Sequence, residues 1–137
     1  MPANARFTFQ PIHKELGNAG HMPYIPLKLQ YQQRQEAVWG LLDTGATVNV
    51  LPYTIGRQLG AVWEQQTIHL QLGGNLANWE ARAMILSAVI ADFDLVRLTF
   101  AWTRNDDVPL ILGQTNFFMA FDVRFYRRDM AMEISPR

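Results

Sequence analysis

Leu41-Leu42-Asp43-Thr44-Gly45-Ala46 sets a carboxylate directly behind an apolar pair and follows it with a small hydroxyl residue and a glycine. A carboxylate at the end of a buried strand loses part of its hydration, and the glycine allows a turn tight enough to aim backbone N–H groups at its oxygens. A group held in this way can take or give a proton. The same tripeptide also suits a plain strand-ending Asx turn, in which the aspartate only satisfies its own backbone. Other reactive residue types are sparse. Cysteine is absent and the three histidines, His13, His21 and His69, lie far apart in the chain. No disulfide, thiolate or metal cluster is therefore expected, and no cofactor. The other aspartates, Asp92, Asp94, Asp106, Asp107, Asp122 and Asp129, all stand outside an Asp-Thr/Ser-Gly context.

The elements that must position Asp43 read as short strands. Tyr24–Tyr31 alternates apolar and polar residues, 32–35 is polar enough to turn, and 36–42 reads as a return strand, so the pair forms a hairpin that delivers Asp43. After the β-branched run Thr47-Val48-Asn49-Val50, Pro52 suits the first turn of a short helix over 53–59, and Gly60 is placed to end it. Residues 67–72 alternate, Gly73-Gly74-Asn75 tolerates positive φ, and 79–90 is strand-like again, which predicts a hairpin with a glycine tip. Residues 95–103 alternate around Phe100 and Trp102, 104–107 turns, and Val108-Pro109-Leu110-Ile111-Leu112 suits a buried strand that Gly113 stops. Residues 114–120 suit a short helix with Thr115 or Asn116 as its cap, and 122–126 with 130–134 a closing hairpin. Near the start, 6–12 alternates like a half-buried strand, and 14–20 is polar and glycine-bearing, as an exposed loop would be.

Three features then stand in order: an apolar pair before Asp-Thr-Gly-Ala, a Gly73-Gly74 hairpin tip, and Ile111-Leu112-Gly113 before a short helix. In this order the chain resembles the retropepsin family, the single-domain aspartic proteases of retroviruses and their cellular and bacterial relatives. The resemblance runs from about Leu27 to Ile134. It implies a mostly β, closed-barrel-like retropepsin fold with a flap hairpin and one or two short helices, acting as a homodimer. It divides the chain into an N-terminal extension at 1–26, a strand plus a loop with no role assigned, and a protease domain at 27–137. By the same resemblance Asp43 is the catalytic aspartate, and Thr44, Gly45 and Ala46 form the active-site loop. Thr44 would bond its counterpart across the dimer, and the N–H of Gly45 would orient the carboxylate. Gly73, Gly74 and Asn75 would lie in the substrate-binding flap, and Leu112 and Gly113 would support the inner loop. The implied activity is that of an aspartic endopeptidase that cleaves extended polypeptides through a water held by two Asp43 carboxylates, one per subunit. Relatives often carry an acid where this chain has Thr47 and an arginine where it has Gln114. Replacing both leaves no buried charge without a partner.

Bulk properties fit one domain. The 137 residues are 49% hydrophobic, and 12 basic residues balance 12 acidic ones. That balance gives no electrostatic reason to expect nucleic acid or an acidic membrane as partner. With no apolar leader behind a basic start, a cytoplasmic protein is expected. Two other readings stay open. One is a catalytically silent retropepsin-like module that binds peptides or dimerises, and the other is a structural β-domain that uses Asp43 only as a turn residue.

Overall fold

Alternation in Tyr24–Tyr31 puts Ile25, Leu27 and Leu29 on one face, and all three are buried in a computed structural model that describes residues 4–11 and 20–137. The strands in chain order are β1 (Ala5–Thr8), β2 (Gln10–Pro11), β3 (His21–Met22), β4 (Tyr24–Tyr31), β5 (Arg34–Leu42) and β6 (Asn49–Leu51). Helix α1 (Tyr53–Gln58) follows, then β7 (His69–Leu70), β8 (Ala81–Val89), β9 (Val96–Thr103) and β10 (Leu110–Leu112). Helix α2 (Phe117–Ala120), β11 (Phe121–Tyr126) and β12 (Ala131–Pro136) complete the chain. Strands β4-β5-β10-β6-β9-β8 hydrogen-bond in that order, and β4 pairs again with β8 through Lys28↔Val89, Leu29↔Ala88 and Gln30↔Ser87. The ring of six strands is thereby a closed barrel, which removes the exposed edges that an open sheet would leave. The mostly β fold with two short helices is the one that the sequence implied.

The core explains which segments had to be strands. Leu98, Phe100 and Trp102 point inward from β9 against Leu86 and Ala88 of β8 and Leu110 and Leu112 of β10. Each large apolar side chain removed from water contributes about 1.5–3 kcal/mol. Helix α1 closes one end of the barrel because Gly56 lets its backbone approach the Trp102 indole, where a Cβ would come within 2.3 Å of the ring. Trp102 donates its indole N–H to the Tyr53 carbonyl at 3.1 Å and stacks on the Tyr53 ring at 5.5 Å. Gly60, at φ +86, ends the helix as expected. A second sheet of order β1-β12-β11 packs Met132 and Ile134 into the same core as Phe117 and Phe121. Strand β1 is thus paired along its length with β12, from Ala5↔Ile134 to Thr8↔Ala131.

Three elements depart from expectation. The strand expected at 6–12 is broken at Phe9 into β1 and β2, with Ile12 outside the described residues, and the loop expected at 14–20 lies, up to Ala19, outside them too. The glycine-tipped hairpin is a wider structure, since β7 is only His69–Leu70, β8 starts at Ala81, and a 3-10 turn at Gly74–Leu76 fills the connection. The cause is local. The Gln71 side-chain amide donates to the carbonyls of Leu72 and Ala77 at 3.3 and 3.0 Å, so these groups bond within the loop rather than along a ladder. Helix α2 begins at Phe117, not near Gln114, because Asn116 adopts φ +72. Neither expected cap acts as one, and the Asn116 side-chain oxygen instead accepts the Thr99 N–H at 2.9 Å. No helix among the described residues is long and apolar enough to cross a membrane.

Candidate active site

The site begins where β5 stops. Leu42 lies beside Leu112 in the parallel β5–β10 pair, and the Asp43 N–H donates to the Leu112 carbonyl at 3.0 Å. The chain then turns at once, with the Ala46 N–H donating to the Asp43 carbonyl at 3.1 Å and the Gly45 N–H to Asp43 Oδ1 at 3.0 Å. This is Asx-turn geometry, and it also holds a half-buried carboxylate by one oxygen and leaves the other uncommitted in these bonds. This geometry is compatible with either reading of the tripeptide. A Cβ at Gly45 would make only ordinary van der Waals contact, 3.4 Å from Asp43 Oδ1.

The loop after β10 braces this turn from behind. Gln114 donates its N–H to the Ala46 carbonyl at 2.9 Å and its side-chain amide to the Thr44 carbonyl at 2.8 Å. The Thr115 N–H adds a bond to the Thr47 carbonyl at 2.9 Å. Gly113 permits this approach, since a Cβ there would sit 2.6 Å from the Val48 carbonyl oxygen and 2.8 Å from that of Ala46. Leu112 is fully buried in the barrel core. Thr44, at the tip of the turn, faces solvent.

Beneath the turn lies a residue the sequence did not single out. Asn49 is fully buried; its side-chain oxygen accepts the Gly113 N–H at 2.8 Å and its amide donates to the Thr99 carbonyl at 3.0 Å. One asparagine therefore ties the Asp43 loop, the β10 end and β9 together. The signal available was a lone amide inside the run Thr47-Val48-Asn49-Val50, where an apolar residue would otherwise serve a buried strand.

Asp43, Gly45 and Ala46 line one side of a cleft of about 350 Å³, with Gly73 and Gly74 of the 71–80 loop also on its lining. The apolar walls come from Val50, Leu72, Leu76 and Ile111, of which Leu72 and Leu76 belong to the loop itself. The structure brings together the two glycine-bearing segments singled out in the sequence, and Leu112 and Gly113 lie against the first of them, the Asp43 turn. Gly74 has φ +59, as expected of a residue tolerant of that region, whereas Gly73 has ordinary negative φ. Asn75 falls in the 3-10 turn of the same loop. Among the described residues lining the cleft, Asp43 is the one ionisable group. No group of three or more His, Asp or Glu able to hold a metal is found among the described residues.

In overall shape the chain is similar to a retropepsin-like aspartic protease from Rickettsia conorii, with a TM-score of 0.65 at 14% sequence identity over 98% of this chain and 100% of that one. It is also similar to the EIAV protease in complex with the inhibitor HBY-793, with a TM-score of 0.50 at 20% identity over 67% of this chain and 81% of that one. No family model and no curated protein sequence matches the chain. At these identities the likeness is one of architecture, and the chain has the retropepsin-like fold over nearly its whole length.

Proposed function

We propose that the chain is one subunit of a homodimeric aspartic endopeptidase in which two copies of Asp43 act on one water. The observation that carries this reading is the shared cleft, in which a braced carboxylate faces a glycine-bearing loop between apolar walls. Hydrolysis by carboxylates alone needs two of them. One takes a proton from water as its oxygen bonds to the peptide carbon, and the other gives a proton to the carbonyl oxygen. Collapse of the tetrahedral intermediate then breaks the C–N bond, and the departing nitrogen takes up a proton from the pair. Among the described residues the cleft of one chain holds a single carboxylate, so in this reading the second comes from a partner related by a two-fold axis through the site.

In this reading the Gly45 N–H orients the Asp43 carboxylate, and Thr44 meets the partner's turn across the axis. Ala46 leaves the floor of the cleft small, and Leu112 and Gly113 hold the turn in place. Gly73, Gly74 and Asn75 belong to the flap, whose backbone pairs with an extended peptide as an added strand would. The apolar walls favour a polypeptide with apolar side chains beside the scissile bond. The test is digestion of a peptide library, with products read by mass spectrometry, by the wild-type chain and by Asp43→Asn. Cleavage that pepstatin blocks and that Asp43→Asn abolishes, while fold and dimer persist, is the expected result. Equal cleavage by the variant sinks the assignment, and peptide binding without cleavage by either protein makes the chain a silent binding module.

A further inference from the structure

Few backbone bonds tie the 71–80 loop to the barrel. β7 pairs with β8 only through His69↔Arg82 and Leu70↔Ala81, with one more bond from the Ala83 N–H to the Ile68 carbonyl at 2.8 Å. A two-stranded ladder of this length is marginal in water, so the angle at which the loop stands beside Asp43 rests on side-chain contacts as well: Leu72 and Leu76, which pack against Val50 and Ala101 of the barrel, and those made at the base of the ladder. The loop is braced within itself by the Gln71 side chain and by 3-10 bonds from Leu76 to Gly73 and from Ala77 to Gly74, both 3.2 Å.

Arg82 stands at that base. Its side chain is only 18% exposed, and Nη1 donates to the carbonyls of Trp63 at 2.8 Å and Gln66 at 3.3 Å. The guanidinium lies 4.6 Å from the centre of the Trp63 ring, and that ring packs edge-on against Trp102 in the core at 5.1 Å. Nη2 reaches Glu80 at 3.5 Å, and the same carboxylate lies 3.8 Å from Nδ1 of His69 on the other arm. The guanidinium thus ties β8 at the base of the loop to the segment that leads into β7 and to the Trp63 ring in the core.

We propose that Arg82 is the positioning residue of the flap, a clamp that sets how the 71–80 loop stands over Asp43; its effect on turnover rests on the protease reading above. Only a planar guanidinium both stacks on the indole and donates to two carbonyls, so Arg82→Lys weakens the clamp and Arg82→Met removes its donors while keeping apolar bulk.

Amide hydrogen exchange tests the clamp without any need for activity. In both variants exchange at 71–80 should quicken by about tenfold or more while the barrel strands keep their protection. Unchanged exchange in the loop, or acceleration spread evenly over the barrel, overturns the proposal. On a peptide that the wild type cleaves, KM should rise by about tenfold with kcat altered far less, because an unclamped flap must be ordered on binding. A fall in kcat at constant KM means that Arg82 only maintains the fraction of folded enzyme, and also overturns it. If no peptide is cleaved by the wild type, the protease reading fails and the exchange result still decides the clamp.

Discussion

Asp43 stood out in the sequence as a turn residue behind an apolar pair, a place where Asp-Thr-Gly serves an ordinary Asx turn and can also hold a carboxylate. The residues that hold its turn were harder to see, because each acts through a contact far away in sequence. Asn49 is the clearest case, since its value lies in reaching Gly113 and Thr99, and no local pattern announces either partner. Asn49→Ala should strand the Gly113 N–H and the Thr99 carbonyl, at about 1–3 kcal/mol for each buried group left unpaired. A denaturant titration reads this directly, and a loss below about 1 kcal/mol would contradict the bridging role. Gly113 should be as intolerant for a steric reason. A methyl there meets two backbone carbonyl oxygens that cannot swing aside, so Gly113→Ala should cost about 1–3 kcal/mol and displace the Asp43 turn. Wild-type stability in that variant would mean that the two loops are not held in the contact described.

Among the elements, long alternating strands were legible and short ones were not. β4 spans Tyr24–Tyr31 as read, because eight residues of alternation leave one way to bury Ile25, Leu27 and Leu29. β7 shrank because the Gln71 amide bonds its own loop, and α2 starts late because the Asn116 side chain serves β9; neither competition shows in a local pattern. The glycines of the 71–80 loop illustrate what geometry adds. Both were candidates for positive φ, yet only Gly74 has it, and neither has an atom within 4 Å of where a Cβ would stand. Gly74→Val should therefore distort the flap and reduce kcat/KM by about tenfold or more, whereas Gly73→Ala should leave it within about threefold. Steady-state kinetics with circular dichroism as a fold control separates the two, and equal effects would mean that backbone conformation at Gly74 does not matter to turnover.

At the scale of the whole molecule, the class of the fold was legible from many short strands. Its closure was expected from the family resemblance and not from periodicity. The β4–β8 pairing that seals the barrel joins strands far apart in sequence, and periodicity carries no information on which distant strands meet. The same holds for β1, whose alternation was visible while its pairing with β12 was not. The closed barrel sets Asp43 at the ends of β5 and β10 with the 71–80 loop beside it, and Asp43 is the one carboxylate on the cleft among the described residues. The protease reading therefore stands or falls on whether two chains share a site. The most direct measurement mixes wild-type and Asp43→Asn chains at constant total concentration, after subunit exchange, and follows peptide hydrolysis against the wild-type fraction. If both carboxylates are needed, activity follows the square of that fraction and an equal mixture retains about a quarter of the wild-type rate. A linear decline, to about half at equal mixture, would show that each chain cuts alone and would contradict the two-carboxylate account.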